Sequence, residues 1–442
     1  MSRTQTILKG TFILTITGLT TRFMGFFYRI FLSHNFGEEG VGLYQLIFPV
    51  YALGFSLTSA GIEIALSRCV AKYYASGNKK KARDLLYTSL LLTFLFSTLF
   101  TLILQKYANV IAEQFLHNIY TAELLLILSY IFPFAAVHSC IVGYYLGLKQ
   151  TKIPAVSQFL EQGVRIISVF LFYYLSTVMH YDFTISFAVL GLIIGEIASC
   201  MYCIKIISGR FLPVYFPKIN ASVFLANTKE LIIFSAPLTT SRVLLNVLQS
   251  IEAISIPLSL EQYGMSAQNA LSTYGVLTGM ALPCILFPSA ITNAVSTMLL
   301  PTVSEIQTLK NQSALKKIFQ KSITYCSLLG ILCCIFFLLF GSIAGKILFQ
   351  STLAGKFLIT LAWMCPFLYT NTTLLSIING IGKTFISLII NILNLSIRIA
   401  AVMFFIPVYG IYGYLLGLLI SQVFTFLSGF IYLNIQLKAE VP

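Results

Sequence analysis

The stretch Thr11–Ser33 reads TFILTITGLTTRFMGFFYRIFLS, and its only charged residues are Arg22 and Arg29. At about 1.5 Å per residue, a helix of this length crosses the roughly 30 Å hydrocarbon core of a bilayer. A surface helix of a soluble protein would carry a charged face opposite an apolar stripe. This one is apolar on nearly every side. Eleven further runs share its character, at roughly 42–66, 85–105, 124–147, 153–178, 183–204, 231–258, 267–300, 322–345, 357–379, 384–406 and 410–436. The eighth, with Pro283 and Pro288, is expected to be kinked or broken.

The whole chain has the same composition. Of 442 residues, 57% are hydrophobic and 10% charged, where soluble domains are about a quarter charged. Fourteen acids and 28 Lys and Arg cannot cover two or three soluble domains with a polar skin. A soluble enzyme, a disordered chain, a secreted disulfide scaffold and a single-anchor protein are excluded. A β-barrel would alternate in segments of about ten residues, half the length of these runs. The expected fold is an all-α polytopic membrane protein of about twelve transmembrane helices. The first run is long enough to span and no A-x-A site follows it, so it reads as a span and not a leader.

The formal net charge is +14. With the N-terminus placed inside, twenty Lys and Arg fall on inside segments, and only Lys106, Lys346 and Lys356 on outside ones. This bias places both termini in the cytoplasm. The basic excess is therefore topological, with a secondary attraction to anionic lipid, and nucleic acid is not an expected partner.

The chain also matches itself. Pro49 falls on Pro283 and Leu66 on Leu300 at an offset of 234. Pro133-Phe134 falls on Pro366-Phe367, Gly147 on Gly380 and Arg165 on Arg398 at 233. Leu19-Thr20-Thr21-Arg22 resembles Leu238-Thr239-Thr240-Ser241-Arg242 with one insertion. Such ordered anchors indicate a duplication. Each half holds six spans, so the halves share one orientation, as in transporters that bind substrate at the midplane between parallel repeats. The expected organisation is an N-terminal six-helix lobe over 1–207, a linker over 208–230 with Arg210, Pro213, Pro217 and Lys218, and a C-terminal lobe over 231–442.

Charges inside the spans carry the functional reading, because a central ion costs about 2.5–3.5 kcal/mol on insertion scales. They are Arg22, Arg29, Glu63, Glu161, Arg165, Glu196, Arg242, Glu252 and Arg398. Arg22 and Arg29 are seven residues apart and share one helix face, with Arg29 near the outer end. Two readings stand for Arg22: an ion pair with an acid of a neighbouring helix, or a place in a substrate cavity. Glu161 and Arg165, at i and i+4, suit a self-neutralised helix or a cavity lining. Their repeat mates are Asn394 and Arg398, so Arg398 has lost its acid; Asn391, Asn394 and Arg398 form a polar seam. Gln422 replaces Glu196 in the second half. Glu63 and Glu252 lie nearer span ends and are weaker candidates. The central set, Arg22, Arg165, Arg242 and Arg398 against Glu161 and Glu196, leaves two surplus positive charges. A wet site, or one that receives an anion, relieves that cost, and arginine suits a pyrophosphate.

No P-loop, G-x-S-x-G or metal-ligand spacing occurs, so no enzyme activity, cofactor or metal is expected. Cys200-x-x-Cys203 lacks a second pair, and His34, His117, His138 and His180 form no ligand cluster in the sequence.

Several of these stretches resemble a known family. They are Thr21–Arg29, Gly40–Gln45 with Phe48-Pro49, Ile153–Gln158 running through Glu161–Arg165, and Leu248–Ala253 with Ile256-Pro257. Together they are similar to the stage V sporulation protein B family. That family lies on the polysaccharide-transport branch of the multidrug/oligosaccharidyl-lipid/polysaccharide exporter superfamily, near the lipid II flippases. The resemblance implies two six-helix lobes around a central cavity, and export of an undecaprenyl-pyrophosphate-linked peptidoglycan precursor for the spore cortex. It implies Arg22 and Arg29 as headgroup ligands. The cavity arginine of helix 8 in those flippases has no counterpart here, and its role falls to Arg242. The flippases carry fourteen helices against the twelve counted here, so the lipid tail is expected in the bilayer or between the lobes.

The expected mechanism is alternating access, hinged at Pro49, Pro283 and Pro288. It is energised by the membrane potential, or by sodium or proton coupling at a polar lining of Glu161, Arg165, Glu196, Asn394 and Arg398. Expected partners are the undecaprenyl-linked lipid, membrane lipid and the peptidoglycan synthesis machinery, with the transporter itself a monomer. Rival readings are a cation-coupled multidrug exporter of the same superfamily and a non-transporting membrane scaffold.

Overall fold

The computed structural model describes residues 3–211, 221–308 and 312–439. Arg210 is described in backbone only, and the linker residues Pro213, Pro217 and Lys218 lie outside the described residues.

The described chain is helical and can be followed as twelve segments. The first is α1, Arg3–Leu46, broken at Gly37, where φ is 65° and ψ is −169°, a conformation that glycine adopts at little cost. After it come α2 (48–75) and α3, Lys79–Phe115. Next are α4, Thr121–Ser129 with Ile131–Gly147, and α5, Lys152–Met179. Then come α6, Ser186–Phe211, and α7, Ala221–Gln262. The second half continues with α8, Ala267–Leu286 and then Ser289–Thr308, and α9, Gln312–Phe349. It closes with α10, Thr352–Ala362 with Cys365–Gly380, α11, Thr384–Tyr409, and α12, Ile411–Ala439.

Among the described residues, nine helices are long and apolar enough to cross a membrane, or eleven with each bent pair taken as one span. The Phe12–Ala75 stretch counts as one of these at 64 residues. At about 1.5 Å per residue it is far too long for a single crossing, and the break at Gly37 divides it in two. That yields the expected twelve. The chain is a multi-pass membrane protein.

Side-chain chemistry accounts for the ends and breaks. Asn78 caps α3 by accepting from the Lys81 amide, Ser266 caps α8 from Asn269, and Ser351 caps α10 from Ala354. The bends of 44° in α4 and 60° in α10 lie just before Pro133 and Pro366, a pair that the internal repeat matches. Pro49 opens the Phe48–Phe55 helix, and Pro283 opens a short helix that follows a π-helical stretch, Val276–Ala281. Pro288 lies in the break between Leu282–Leu286 and Ser289–Thr308. The eighth run is broken, as its prolines predict.

The helices form two compact units. The first is Met1–Gly25 with Leu46–Val247, and the second is Phe26–Gln45 with Leu248–Pro442. They differ from the continuous lobes expected at 1–207 and 231–442. Helices α1 and α7, the opening helices of the two sequence halves, each contribute to both units.

Within the first unit, Val70, Ala82, Leu86, Ile141, Tyr144 and Tyr145 join one buried cluster. Within the second, Val303, Leu315, Phe319, Leu374, Ile377 and Ile378 do the same, each at an offset of 233. The duplication read from a few anchors is thus repeated in the core. One close helix-to-helix contact is also repeated. A Cβ on Gly147 would lie 2.6 Å from the Ser67 carbonyl oxygen, and one on Gly380 would lie 3.1 Å from that of Leu300. In both units a glycine lets two helices touch backbone to backbone.

Candidate functional site

Two polar clusters lie inside the bundles, one in each unit. In the first, α6 carries Gly191 and Gly195 one turn apart. A Cβ on Gly195 would lie 2.5 Å from the Glu161 carbonyl oxygen, and one on Gly191 would lie 2.3 Å from Val169 Cγ2. This small-residue stripe brings α6 onto α5 and Glu196 next to Glu161. Helix α4 adds His138, whose Nδ1 lies 2.7 Å from Glu196 Oε1 and 3.3 Å from Ser199 Oγ. Arg165 is bonded to Glu161 and donates to Gln162 Oε1 at 3.1 Å. The Glu196 side chain is 5% exposed and that of His138 is 12%.

Ligand atoms of His138, Glu161 and Glu196 lie within 4.8 Å of one another, a spacing compatible with a metal ion. The surrounding charge argues otherwise. Glu161 already holds the Arg165 guanidinium, so a divalent ion would add positive charge to a set that lacks the negative charge to balance it. These residues form an ion-paired and hydrogen-bonded network. They also correct the expectation that the four histidines stand apart from any cluster, because sequence distance hid His138 from Glu196.

In the second unit, Glu252 of α7 meets Arg398 of α11, with Arg398 Nε 2.6 Å from Glu252 Oε1. The Tyr414 hydroxyl of α12 donates to the same carboxylate at 2.6 Å. Arg398 therefore has an acid, supplied by another helix and not by its own position i−4. Glu252, expected to be marginal, is 3% exposed. Asn394 turns to α12, donating to the Ser421 carbonyl at 2.9 Å and to Thr425 Oγ1 at 2.8 Å. Asn391 donates to the Ser387 carbonyl of its own helix. The expected seam of Asn391, Asn394 and Arg398 is three separate contacts. Asn371 of α10 donates to both the backbone and the side-chain oxygen of Gln422 at 2.9 Å.

The remaining expected residues lie elsewhere. Arg22 and Arg242 are exposed in the first unit, and Arg29 is half-buried in the second. Arg22 makes no ion pair among the described residues. Arg242 lies within electrostatic reach of Glu63, which is half-buried. Asn246, one turn further along α7, donates to Ser56 Oγ at 2.5 Å and to the Ala52 carbonyl at 3.2 Å. The surplus of two buried positive charges is thereby corrected. Arg22 and Arg242 are exposed, Arg165 and Arg398 each hold an acid, and Glu252 joins the buried set.

Comparison with known proteins agrees with this architecture. The family model "Polysaccharide biosynthesis protein" matches residues 7–307. Stage V sporulation protein B of Bacillus subtilis (strain 168) is 32% identical over 366 residues, covering 81% of this chain and 70% of that protein. Lipid II flippase MurJ of the same organism is 28% identical over 172 residues, 36% of this chain and 31% of that one. Among solved structures, lipid II flippase MurJ in an inward closed conformation superposes with a TM-score of 0.75 at 16% identity, covering 96% of this chain and 87% of that one. An inward-facing multidrug resistance MATE family transporter of the MOP superfamily gives 0.73 at 15% identity, covering 96% and 98%.

Proposed function

Because the chain belongs to the polysaccharide biosynthesis protein family, on the stage V sporulation protein B branch of the MOP exporter superfamily, and is a membrane transporter, we propose that it is a flippase for an undecaprenyl-pyrophosphate-linked peptidoglycan precursor. The substrate is lipid II-like and moves from the cytoplasmic to the outer leaflet by alternating access. Its destination is the spore cortex, a reading supported by the sporulation and lipid II names of its relatives.

The observation that carries this reading is Arg22. It lies in mid-span on α1, exposed and without an ion pair among the described residues. A guanidinium facing hydrocarbon there would cost at least about 2.5–3.5 kcal/mol, whereas intramembrane arginines ordinarily face protein or a water-filled path. An arginine in such a path, held open for a partner, suits the bidentate geometry of a pyrophosphate. Arg242, in the same unit, adds a second exposed positive charge. The broken stretches at Pro49, Pro283 and Pro288 supply the hinges. An inside-negative potential drives an anionic headgroup outward by about 2.3 kcal/mol per charge at 100 mV, provided the arginines stay behind.

The test uses the full chain in liposomes with fluorescent lipid II, read by exposure to an outer-leaflet probe under an imposed potential. Arg22→Ala with Arg29→Ala is expected to slow flipping at least about tenfold, since one hydrogen bond to a charged group contributes about 1.5–3 kcal/mol. Flipping at the wild-type rate in that variant would overturn the headgroup assignment. No flipping by the wild type would overturn the flippase reading.

A further inference from the structure

The internal repeat matches His138 with Asn371 at the offset of 233, and pairs Glu196 with Gln422. Both pairs are in contact. His138 Nδ1 lies 2.7 Å from Glu196 Oε1, and Asn371 Nδ2 donates to Gln422 Oε1 at 2.9 Å. The same helix-to-helix hydrogen bond is made twice, once by titratable groups and once by neutral amides. Architecture alone does not call for the titratable version. An amide pair makes the same helix-to-helix contact without the cost of ionisation.

Charge balance shows what the titratable version adds. The groups facing this cluster are Glu63 on α2, Glu161 and Arg165 on α5, and Glu196, Cys200 and Cys203 on α6, with Arg242 on α7 offsetting Glu63. Helix α3 contributes the neutral Thr93, 3.2 Å from Cys140 on the His138 helix. Glu161 and Arg165 neutralise each other. The Glu196 carboxylate and the His138 imidazole remain. With the imidazole neutral, the cluster holds one uncompensated negative charge in a setting where that is costly. With one proton added, it is neutral. The separation of 2.7 Å is that of a charge-assisted N–H···O bond. A cation binding both atoms from adjacent positions, each at about 2.0–2.6 Å, would hold them roughly 3 Å or more apart.

We propose that His138 and Glu196 form a binding site for one exchangeable proton, through which a proton gradient acts on transport. The link to transport rests on the flippase reading above; the proton site does not. Histidine takes up and releases a proton where an amide cannot, and the first unit carries it where the second carries an amide.

The decisive variant transplants the second half's solution into the first: His138→Asn with Glu196→Gln. Full-length protein in nanodiscs is titrated between about pH 5 and about pH 11, and proton uptake is measured with indicator dyes. The wild type is expected to take up one proton more than the transplant. In liposomes with fluorescent lipid II at clamped potential, wild-type flipping is expected to change by up to about tenfold per unit of pH gradient, as one coupled proton allows. The transplant is expected to lose that response while eluting as a folded monodisperse protein. Equal proton uptake overturns the proposal. So does a transplant that keeps its pH response, or a sodium gradient at fixed pH that reproduces the effect. If neither protein moves the lipid, the flippase reading fails and the uptake difference still decides the proton site. If the transplant does not fold, His138→Gln is titrated in its place, with the same one-proton difference expected and equal uptake again overturning the proposal.

Discussion

Truncating Glu252 to alanine tests whether the polar cluster of the second unit is dry and structural. Arg398 Nε lies 2.6 Å from the carboxylate, whose side chain is 4% exposed, and the Tyr414 hydroxyl donates to the same oxygen at 2.6 Å. Removing one partner of a buried pair leaves the other charge unpaired and typically costs 3–5 kcal/mol. The Arg398 side chain keeps 23% of its exposure and can draw some water, so the lower end, about 3 kcal/mol, applies. At about 2–4 °C per kcal/mol for units of this size, Tm should fall by roughly 6–12 °C. The double variant Glu252→Ala with Arg398→Met removes the orphaned charge. It leaves only the Tyr414 hydroxyl short of partners, a loss of about 1–3 kcal/mol, so it should recover part of that fall. The assay is thermal unfolding of the purified chain in nanodiscs, followed by size exclusion of the heated samples. If Glu252→Ala melts with the wild type, or if the double variant melts no higher than the single one, the pair is not a buried dependency and the charge accounting is wrong.

Two further outcomes follow from the packing and the charge distribution. Gly147→Ala should destabilise more than Gly380→Ala, because the added Cβ meets a backbone oxygen at 2.6 Å in the first case, whereas in the second its nearest neighbour is the Val303 side chain at 2.8 Å and the backbone oxygen lies at 3.1 Å. Overpacking costs about 1–3 kcal/mol, and equal melting temperatures for the two would contradict the ranking. In a background without reactive native cysteines, a cysteine at Ser76 should react with an impermeant maleimide only from the cytoplasmic side, and one at His117 only from outside. Both positions are exposed, and the opposite pattern would invert the topology.

Much of the fold was legible because bilayer spanning is a matter of local composition. The twelve segments, the break in α8 at Pro283 and Pro288, and the bends before Pro133 and Pro366 each follow from a short stretch read alone. The duplication was legible too, since Arg165 and Arg398 hold their register through the spans between them. The pairing of the buried charges was not legible. Glu161 and Arg165 were readable because i and i+4 on a helix must be neighbours. Glu252 is 146 residues from Arg398, and no periodicity connects the two helices. His138 looked like a single polar residue in an apolar run, and only the approach of α6 permitted by Gly191 and Gly195 turned it into a partner of Glu196. The glycine spacing on α6 was visible beforehand, but which helix it admits was not.

The sequence by itself determined that this chain lives in a membrane, that it is built of about twelve spans, and that its two halves descend from one design. These properties depend on hydrophobicity and charge summed along the chain, and such sums need no knowledge of contacts. Only the tertiary structure decided which ions are buried, which are paired, and that α1 and α7 each contribute to both compact units. The physical reason is that an intramembrane charge is tolerated or costly according to the few ångströms around it. Those ångströms are filled by helices that the chain order keeps far apart.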